Sequence, residues 1–481
     1  MNRMFRYGWI LGMAASLVTA SAWAATLADE IQAVSTSDPV AERPASPMAT
    51  PGQGLDVAEE FAKMQAQIDE LKVSTATPVG FPAAACSPAA PAAKYPSVRL
   101  TGFFQADSGW FSQSDANRLA VGIGVIEDGD VQDGSDFRRA RLAAVGDVWD
   151  NVSYMLEMDF AFPGRPSFMD VWLDIDVLDG DSHLRIGQYR QPVGMDGLTS
   201  VKDMTFLERG LPFAFLPFRQ IGAMWYGVNR TQDITWAISG FRFPTDVYAN
   251  NVGDNGGYAM AARLTGLMVD AKDGGAILHV GASYSYLDPA NDQIQIRNQP
   301  EVFVGENGLA SLGPAGVPSF VPPFVDTGQV ATEHVNLLGA ELAGVLGAFH
   351  WQTEALFANV DQKGGPSLVF PGAYVQAGYF LTGETRPYNR SAGVLGRIKP
   401  NCSVGKEGGI GAWELAVRYS TIDLNDKNIQ GNRLNNVTGG VNWYMNPFTK
   451  FQFNYIHAML DSPAYGSSNA DIVAMRAQLD F

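Results

Sequence analysis

The last twelve residues, Ala470 to Phe481, alternate between apolar and polar positions. Apolar side chains stand at every second position from Val473 onward, and the residues between them include Arg476, Gln478 and Asp480. This alternation predicts a β-strand with one apolar and one polar face. A final strand that ends on an aromatic residue is typical of bacterial outer-membrane barrels. An ordinary antiparallel edge strand is the alternative for this stretch taken alone.

The same alternation recurs along the chain from Val98 to the end. It predicts sixteen strands, most of about the 9 to 11 residues that a tilted membrane-spanning strand needs. In the third strand, for example, Leu156 and Met158 oppose Glu157 and Asp159. The fold class is therefore expected to be all-β, with residues 97–481 forming a sixteen-stranded antiparallel transmembrane β-barrel. We expect the last strand to close the barrel against residues 98–111.

The connections between these strands alternate between short and long. The tight ones include Asn446-Pro447, whereas 112–135, 191–218, 243–256 and 288–332 are long. Short turns on one side and long loops on the other indicate an outer-membrane barrel with periplasmic turns. Residues 383–410 break this rule on the turn side, and we expect this long turn to enter the lumen.

The first 96 residues follow a different pattern. Residues 1–24 predict a secretory signal peptide, because Arg3 and Arg6 precede an apolar run that ends at Ala22-Trp23-Ala24. Residues 25–54 predict a disordered segment. Residues 55–72 predict a short coiled-coil helix, since apolar residues recur there at heptad spacing; a single amphipathic helix is the alternative. A spacer rich in proline and alanine, residues 73–96, follows.

Composition excludes several classes of function. A net charge of -17 argues against a nucleic-acid partner. The chain has two cysteines and five scattered histidines, so we predict no disulfide framework, no metal site, no cofactor and no enzymatic activity. No stretch after the signal has the 18 or so unbroken apolar residues of a membrane helix. An abundance of glycine and aromatic residues favours a barrel.

Several stretches carry a family resemblance. They include FRRARLAAVGDVWDNVSYMLEMDFA from Phe137, LRIGQYRQPVGMDGLTSVKDMTFLERGLPFAFLPFRQIGAMWYG from Leu184 and YFLTGETRPYNRSAGVLGRIKP from Tyr379. In this order they resemble the phosphate-selective porin O and P family of outer-membrane channels. The resemblance implies a homotrimer in outer-membrane lipid with a periplasmic N-terminal coiled coil. It also implies that the third and fifth outer loops and the turn 383–410 fold inward.

An anion channel needs fixed positive groups along its lumen, and the arginine fork can bond two oxygens of one anion. Thirteen basic residues are therefore predicted to line the pore or bind anions, from strand positions on polar faces or from the inward segments. They are Arg139, Arg141, Arg185, Lys202, Arg209, Arg219, Arg263, Arg386, Arg390, Arg397, Lys399, Arg418 and Arg476. The alternative for each residue is that it only keeps the wall of a water-filled lumen polar. For Arg209, the alternative is a pair with Glu208 or Asp203 that holds the shape of its loop.

The acidic residues complicate the selectivity. The fifth loop has one basic residue, Arg297, and polar-face acids such as Glu157, Asp159 and Glu414 would offset the arginines. The first hypothesis is passive diffusion of small solutes, with small anions such as phosphate or polyphosphate preferred. The alternatives are a general or cation-preferring porin and a structural protein that tethers the envelope.

Overall fold

A computed structural model describes residues 95–121, 129–161, 166–177, 181–245, 257–271, 275–304, 321–405 and 408–481. The predicted signal peptide at 1–24, the segment 25–54, the coiled coil at 55–72 and nearly all of the spacer at 73–96 lie outside these residues. These four segments remain predictions.

Sixteen long strands form one antiparallel sheet, and each predicted strand overlaps one of them. They are β1 (Arg99–Gln113), β2 (Gly134–Trp149), β3 (Val152–Asp159), β4 (Ser167–Asp176), β5 (Ser182–Arg190), β6 (Arg219–Val228), β7 (Ile234–Arg242), β8 (Tyr258–Asp270), β9 (Ala276–Asp288), β10 (Val330–Leu346), β11 (Phe349–Gln362), β12 (Leu368–Phe380), β13 (Ala412–Asp426), β14 (Ile429–Asn446), β15 (Thr449–Ser462) and β16 (Gly466–Asp480). Each strand pairs with its neighbours in the chain.

The sheet closes on itself between its first and last strands. β1 pairs with β16, with Phe104 opposite Leu479 and Gln105 opposite Gln478. A closed sheet has no free edge, so every strand can satisfy its backbone groups against a neighbour inside a bilayer. The sixteen-stranded antiparallel barrel and its closure by the last strand are thus confirmed.

Alternation along the strands sorts side chains between the outer surface and the lumen. Apolar residues such as Ile238, Val417 and Val473 are exposed on the outer surface. Their neighbours Ser239, Arg418 and Ala474 are buried inside the barrel. The period of two in a strand therefore produces an apolar belt for lipid and a separate lumen lining.

The connections at the two ends of the barrel differ in length. At one end, here called the turn end, β14 and β15 are joined by a tight turn in which Phe448 N donates to Asn446 Oδ1 at 2.9 Å. At the other, here called the loop end, the connections after β1, β5 and β9 are long. The long turn between β12 and β13 is the exception at the turn end.

The long connections carry short elements. Their helices are α1 (Asp115–Val121) and α2 (Met195–Leu198), with 3-10 turns at Leu211–Phe215 and Ala290–Asp292. Short strand pairs join Gln293–Ile294 to β10, Arg297–Asn298 to Val325–Asp326, and Tyr388–Asn389 to Val394–Leu395. Among the described residues, no helix is long and apolar enough to cross a membrane.

An apolar core fills one side of the barrel. Leu211 and Phe215, from the loop after β5, belong to a cluster of buried residues that includes Leu356 of β11, Phe370 of β12 and other side chains of β10 to β16. Gly372 of β12 lies so near Phe215 that an added Cβ would be 2.8 Å from its ring. The cluster also includes Phe241 of β7 and Ala259 of β8, so this packing leaves β2 to β6 and the remaining parts of β7 and β8 for a passage.

Candidate functional site

Basic side chains of the inner wall from β2 to β8 form the candidate site. Arg141 on β2, Arg185 on β5 and Arg263 on β8 all point into the lumen, as their strand parity predicts. Arg141 and Arg263 are less than a tenth exposed. Each has an acidic partner on another strand.

Ion pairs join the arginines of this wall to acidic residues on the adjacent strand or on the next strand but one. Arg141 Nε lies 2.7 Å from Asp159 Oδ2, and Arg219 Nη2 lies 2.6 Å from Asp170 Oδ2. Further pairs are Arg185–Asp174 at 2.6 Å, Arg263–Glu341 at 2.5 Å and Arg141–Glu157 at 3.5 Å. A carboxylate occupies only part of the five N–H donors of a guanidinium, so these arginines retain donors for a passing anion.

A β-bulge adds an arginine that strand parity does not predict. In the β1–β2 register Gln105 faces Arg139 while Ala106 faces Phe137, so Arg138 is the extra residue. A bulge re-aims side chains, and here both arginines reach Glu208 of the loop after β5. Arg138 Nε and Arg139 Nη2 each lie 2.9 Å from a Glu208 oxygen.

A third arginine, on the last strand β16, also contacts Glu208. Arg476 Nη2 of β16 lies 2.8 Å from Glu208 Oε1. Burial alone would raise the pKa of the Glu208 carboxyl, but Arg138, Arg139 and Arg476 together hold this pKa well below its usual range. The loop is thus anchored to the wall by one carboxylate that three guanidiniums share.

The basic residues of this inward loop have different surroundings. Arg209 donates to the backbone oxygens of Asp196 and Thr199 at 2.6 and 2.7 Å. The predicted alternative, a pair between Arg209 and Glu208 or Asp203, is wrong in its partner, although Arg209 does brace the loop. Lys202 lies with its ammonium 5.6 Å from the centre of the Phe103 ring. Among the described residues it has no carboxylate partner.

The long turn between β12 and β13 also enters the barrel. Arg263 Nη1 and Nη2 donate to the backbone oxygens of Ala392 and Gly393 at 2.9 and 2.7 Å. Gly393 has a φ of 62°, and an added Cβ would lie 2.8 Å from Thr235 Oγ1. The close approach of the backbone at position 393 to Thr235 therefore requires glycine.

The basic residues of this turn are mostly engaged. Arg386 Nη1 donates to Thr205 Oγ1 at 2.7 Å, and Arg390 Nη2 lies 2.7 Å from Asp270 Oδ1. Arg397 lies 3.2 Å from Asp203 and 2.5 Å from Asp480. Lys399 is exposed. None of these four residues lines the two cavities described next.

Two adjoining cavities lie along the β2 to β8 wall. The larger has a volume of about 570 Å³ and the smaller, towards the loop end, about 50 Å³. Arg141, Val201 and Arg219 line both, so the cavities meet at these residues. The basic residues that line the larger cavity are Arg141, Arg185, Arg190, Lys202, Arg219 and Arg263. Its acidic lining residues are Glu157 and Asp170.

The remaining predicted residues lie around the smaller cavity or in the packed half of the barrel. Arg139 and Arg209 line the smaller cavity. Arg418 lies 2.7 Å from Glu301 and is buried with it, in the half filled by the apolar core. Arg476 is fully buried against Asp107 and Glu208. The thirteen predicted residues therefore divide between the two cavities, structural contacts inside the barrel and, for Lys399, the exposed surface.

Sequence reasoning missed Arg138, Arg190 and the aromatic lining. Arg190 lines the larger cavity and donates to the backbone oxygen of Leu198 at 2.7 Å. Gly187 on the same strand has a φ of 131°, which interrupts the regular extended geometry between Arg185 and Arg190. Trp172 lines the same cavity, where the Arg185 guanidinium stacks on it at 4.0 Å. Gly187 was the sequence signal that could have indicated the inward position of Arg190.

Comparison with known proteins identifies the family. Residues 105–481 match the family described as phosphate-selective porin O and P. The chain belongs to this family. It is 26% identical over 408 residues to Porin O of Pseudomonas aeruginosa, covering 78% of this chain and 86% of the relative. An uncharacterized protein of Caulobacter vibrioides is 27% identical over 456 residues, covering 89% and 86%.

Among solved structures, an anion-selective porin from Comamonas acidovorans superimposes with a TM-score of 0.45 at 10% identity, covering 80% of this chain and 97% of that porin. Family membership and the closed barrel together place this porin in the outer membrane as a channel.

Proposed function

We propose that this porin lets small solutes diffuse passively through the β2 to β8 passage and prefers small anions such as phosphate or polyphosphate. The observation that carries the proposal is the lining of the larger cavity, where six basic side chains accompany two acidic ones. In a water-filled passage with low-dielectric walls, such an excess attracts anions and raises their local concentration. Each anion exchanges part of its hydration for fixed donors.

Lys202 is one of two basic residues of the larger cavity that pair with no carboxylate among the described residues; the other, Arg190, donates to the backbone oxygens of Leu198 and Thr199. The Lys202 ammonium faces the larger cavity and has no carboxylate partner within the described residues, whereas Arg141, Arg185, Arg219 and Arg263 each have one. An ion pair keeps its hydrogen-bonding geometry but largely cancels its field at a distance. The net field of the passage therefore depends on the charges that are left over.

The same ion pairs support the second candidate, a general or cation-preferring porin. If the paired arginines contribute little net charge, ions would be sorted by size more than by sign. The tethering alternative depends on the predicted coiled coil at residues 55–72, which lies outside the described residues.

We also propose a homotrimer in outer-membrane lipid with the N-terminal coiled coil in the periplasm. The family resemblance supports the trimer, and the exposed apolar belt supports contact with lipid or with a neighbouring subunit. Chemical crosslinking of the porin in membranes tests this assembly: a product of three chains is expected, and monomers alone would exclude it.

Planar-bilayer recording tests the channel proposal. In a salt gradient, the reversal potential should show that anions carry most of the current, and added phosphate should compete with the chloride current. Changing both Arg139 and Arg141 to alanine should reduce the anion preference, because Glu208, Glu157 and Asp159 would lose partners. A wild-type reversal potential at zero or of cationic sign would support the second candidate instead.

A further inference from the structure

The hairpin of β4 and β5 gathers three side chains that the chain separates. Asp176 lies directly opposite His183, and Asp174 lies opposite Arg185, two positions further along the same face. Side chains that face each other across an antiparallel pair, or stand two residues apart on one strand, lie on the same side of the sheet. Asp174, Asp176 and His183 therefore share the lumen face near the turn end.

Their ligand atoms converge. His183 Nδ1 lies 2.7 Å from Asp176 Oδ1 and 3.1 Å from Asp174 Oδ1. One ligand atom from each residue lies within 4.8 Å of the other two. Each of the other four histidines has one carboxylate partner among the described residues: Glu341 for His279, Asp361 for His334, Glu414 for His350 and Asp471 for His457. The environment of His183 is thus distinct.

Hydrogen bonds to one oxygen of Asp174 fix the direction of its other oxygen, as is usual for a metal ligand. Its Oδ2 accepts hydrogen bonds from Arg185 Nε and Tyr226 OH, both at 2.6 Å. This leaves Oδ1 directed at His183. The His183 ring in turn stacks on Tyr226, with 5.1 Å between ring centres. Partners of this kind, which fix the direction of a ligand, commonly surround metal sites.

We propose that Asp174, Asp176 and His183 bind a divalent transition-metal ion such as Zn²⁺ at the turn end of the passage. One imidazole nitrogen and two carboxylate oxygens suit such an ion and leave further coordination positions to water. The metal would bind Nδ1 of the neutral imidazole, whose single proton would then lie on Nε2. Asp176 and His183 are partly exposed, so the ion can enter from solvent.

A bound ion would change the charge of the passage. His183 lines the larger cavity together with Arg185. Two positive charges placed beside Asp174 and Asp176 would offset their carboxylates, and local anion concentration would rise. Metal binding itself does not depend on the proposed anion preference, whereas this effect on current does.

Isothermal titration calorimetry of the purified full-length porin with ZnCl₂, after treatment with a chelator, tests the site. We expect one saturable site per chain in the wild type. His183→Ala and Asp176→Asn should each weaken binding by at least about tenfold, by analogy with the loss of a supporting partner. His334→Ala is the matched control, because His334 also stacks on a tyrosine but has a single carboxylate partner.

The outcomes separate clearly. Loss of binding in the two site variants, with normal affinity in the control, supports the site. Absence of saturable binding in the wild type, or binding by His183→Ala and Asp176→Asn as tight as that of the wild type, overturns it. Circular dichroism checks that each variant folds.

In bilayers, ZnCl₂ should shift the wild-type reversal potential towards greater anion preference and leave that of Asp176→Asn unchanged. An unshifted wild type would overturn the effect on selectivity alone, and a wild type without anion preference before zinc is added would count only against the proposed function.

Discussion

Arg476 and Asp107 face each other across the strand pair that closes the barrel. The guanidinium donates through Nε and Nη2 to the two carboxylate oxygens, each at 2.7 Å, and both side chains are buried. This two-point pair lies at the register position where β1 and β16 meet. It couples closure of the wall to the inward loop, because Arg476 also contacts Glu208.

Replacing Arg476 by glutamine should destabilise the folded barrel by about 3–5 kcal/mol, because two buried carboxylates would lose a partner. Denaturant unfolding in detergent micelles measures this change. Arg433→Gln is the control: Arg433 also pairs with an aspartate on a neighbouring strand, Asp461, but both side chains are more than a third exposed. It should cost at most about 1 kcal/mol. Equal losses in the two variants would contradict the structural role of Arg476.

Glu208→Gln should lower stability at pH 7, because Arg138, Arg139 and Arg476 would face each other without a carboxylate. The folded pKa of Glu208 lies below its unfolded value, so its contribution is present above the unfolded pKa, near pH 4, and is lost as pH falls through the folded pKa. The stability difference between wild type and variant should therefore stay constant from pH 7 to 5 and shrink towards pH 3. Melting curves at these pH values measure it; a constant difference at pH 3 would argue against a charged Glu208.

Lys202→Glu should shift the reversal potential towards cation preference, since it reverses a charge on the larger cavity that has no carboxylate partner among the described residues. Lys363→Glu is the matched control, because Lys363 is exposed in a loop-end connection and lies 2.5 Å from Asp292. It should leave the reversal potential unchanged. If both lysine variants shift the potential equally, overall charge rather than the passage sets selectivity.

Phe303→Ala should raise single-channel conductance. Phe303 lines the smaller cavity, where the Arg138 guanidinium lies 4.0 Å from the centre of its ring, and removing the ring would widen the narrow part of the passage. Phe453→Ala, on the exposed outer surface, is the control and should leave conductance unchanged. An unchanged conductance in Phe303→Ala would show that the narrowest point lies elsewhere.

The regular part of the fold was predictable, because a period of two over sixteen strands determines which side chains enter the lumen. This parity points Arg141, Arg185 and Arg263 into the lumen, where the structure has them, whereas their role in anion binding stays a prediction. Arg138 was missed because the bulge depends on how β1 and β2 pair, which local alternation does not reveal. The predicted carboxylate partners of Arg209 were wrong. Its observed partners are backbone oxygens, and the direction of these oxygens depends on the folded path of the loop.

The distribution of free and packed space was not predictable either. The inward loops bring Leu211 and Phe215 against the inner face of β11 and β12, and they confine the cavities to the opposite wall. Which wall the inward loops pack against depends on contacts between segments that are far apart in the chain. The cluster of Asp174, Asp176 and His183 is hidden in the sequence for the same reason, since its spacing exists only across a hairpin.

The joining of the first strand to the last also constrains the order of assembly. Thr101 Oγ1 donates to the backbone oxygen of Phe481 at 2.6 Å, across a sequence separation of 380 residues. The wall therefore cannot be completed before β16 has been made and exported. Until then, β1 carries an open edge that could pair with another chain. Loss of even the last few residues would leave this seam incomplete, so a truncated chain is expected to fail in assembly before it fails in transport.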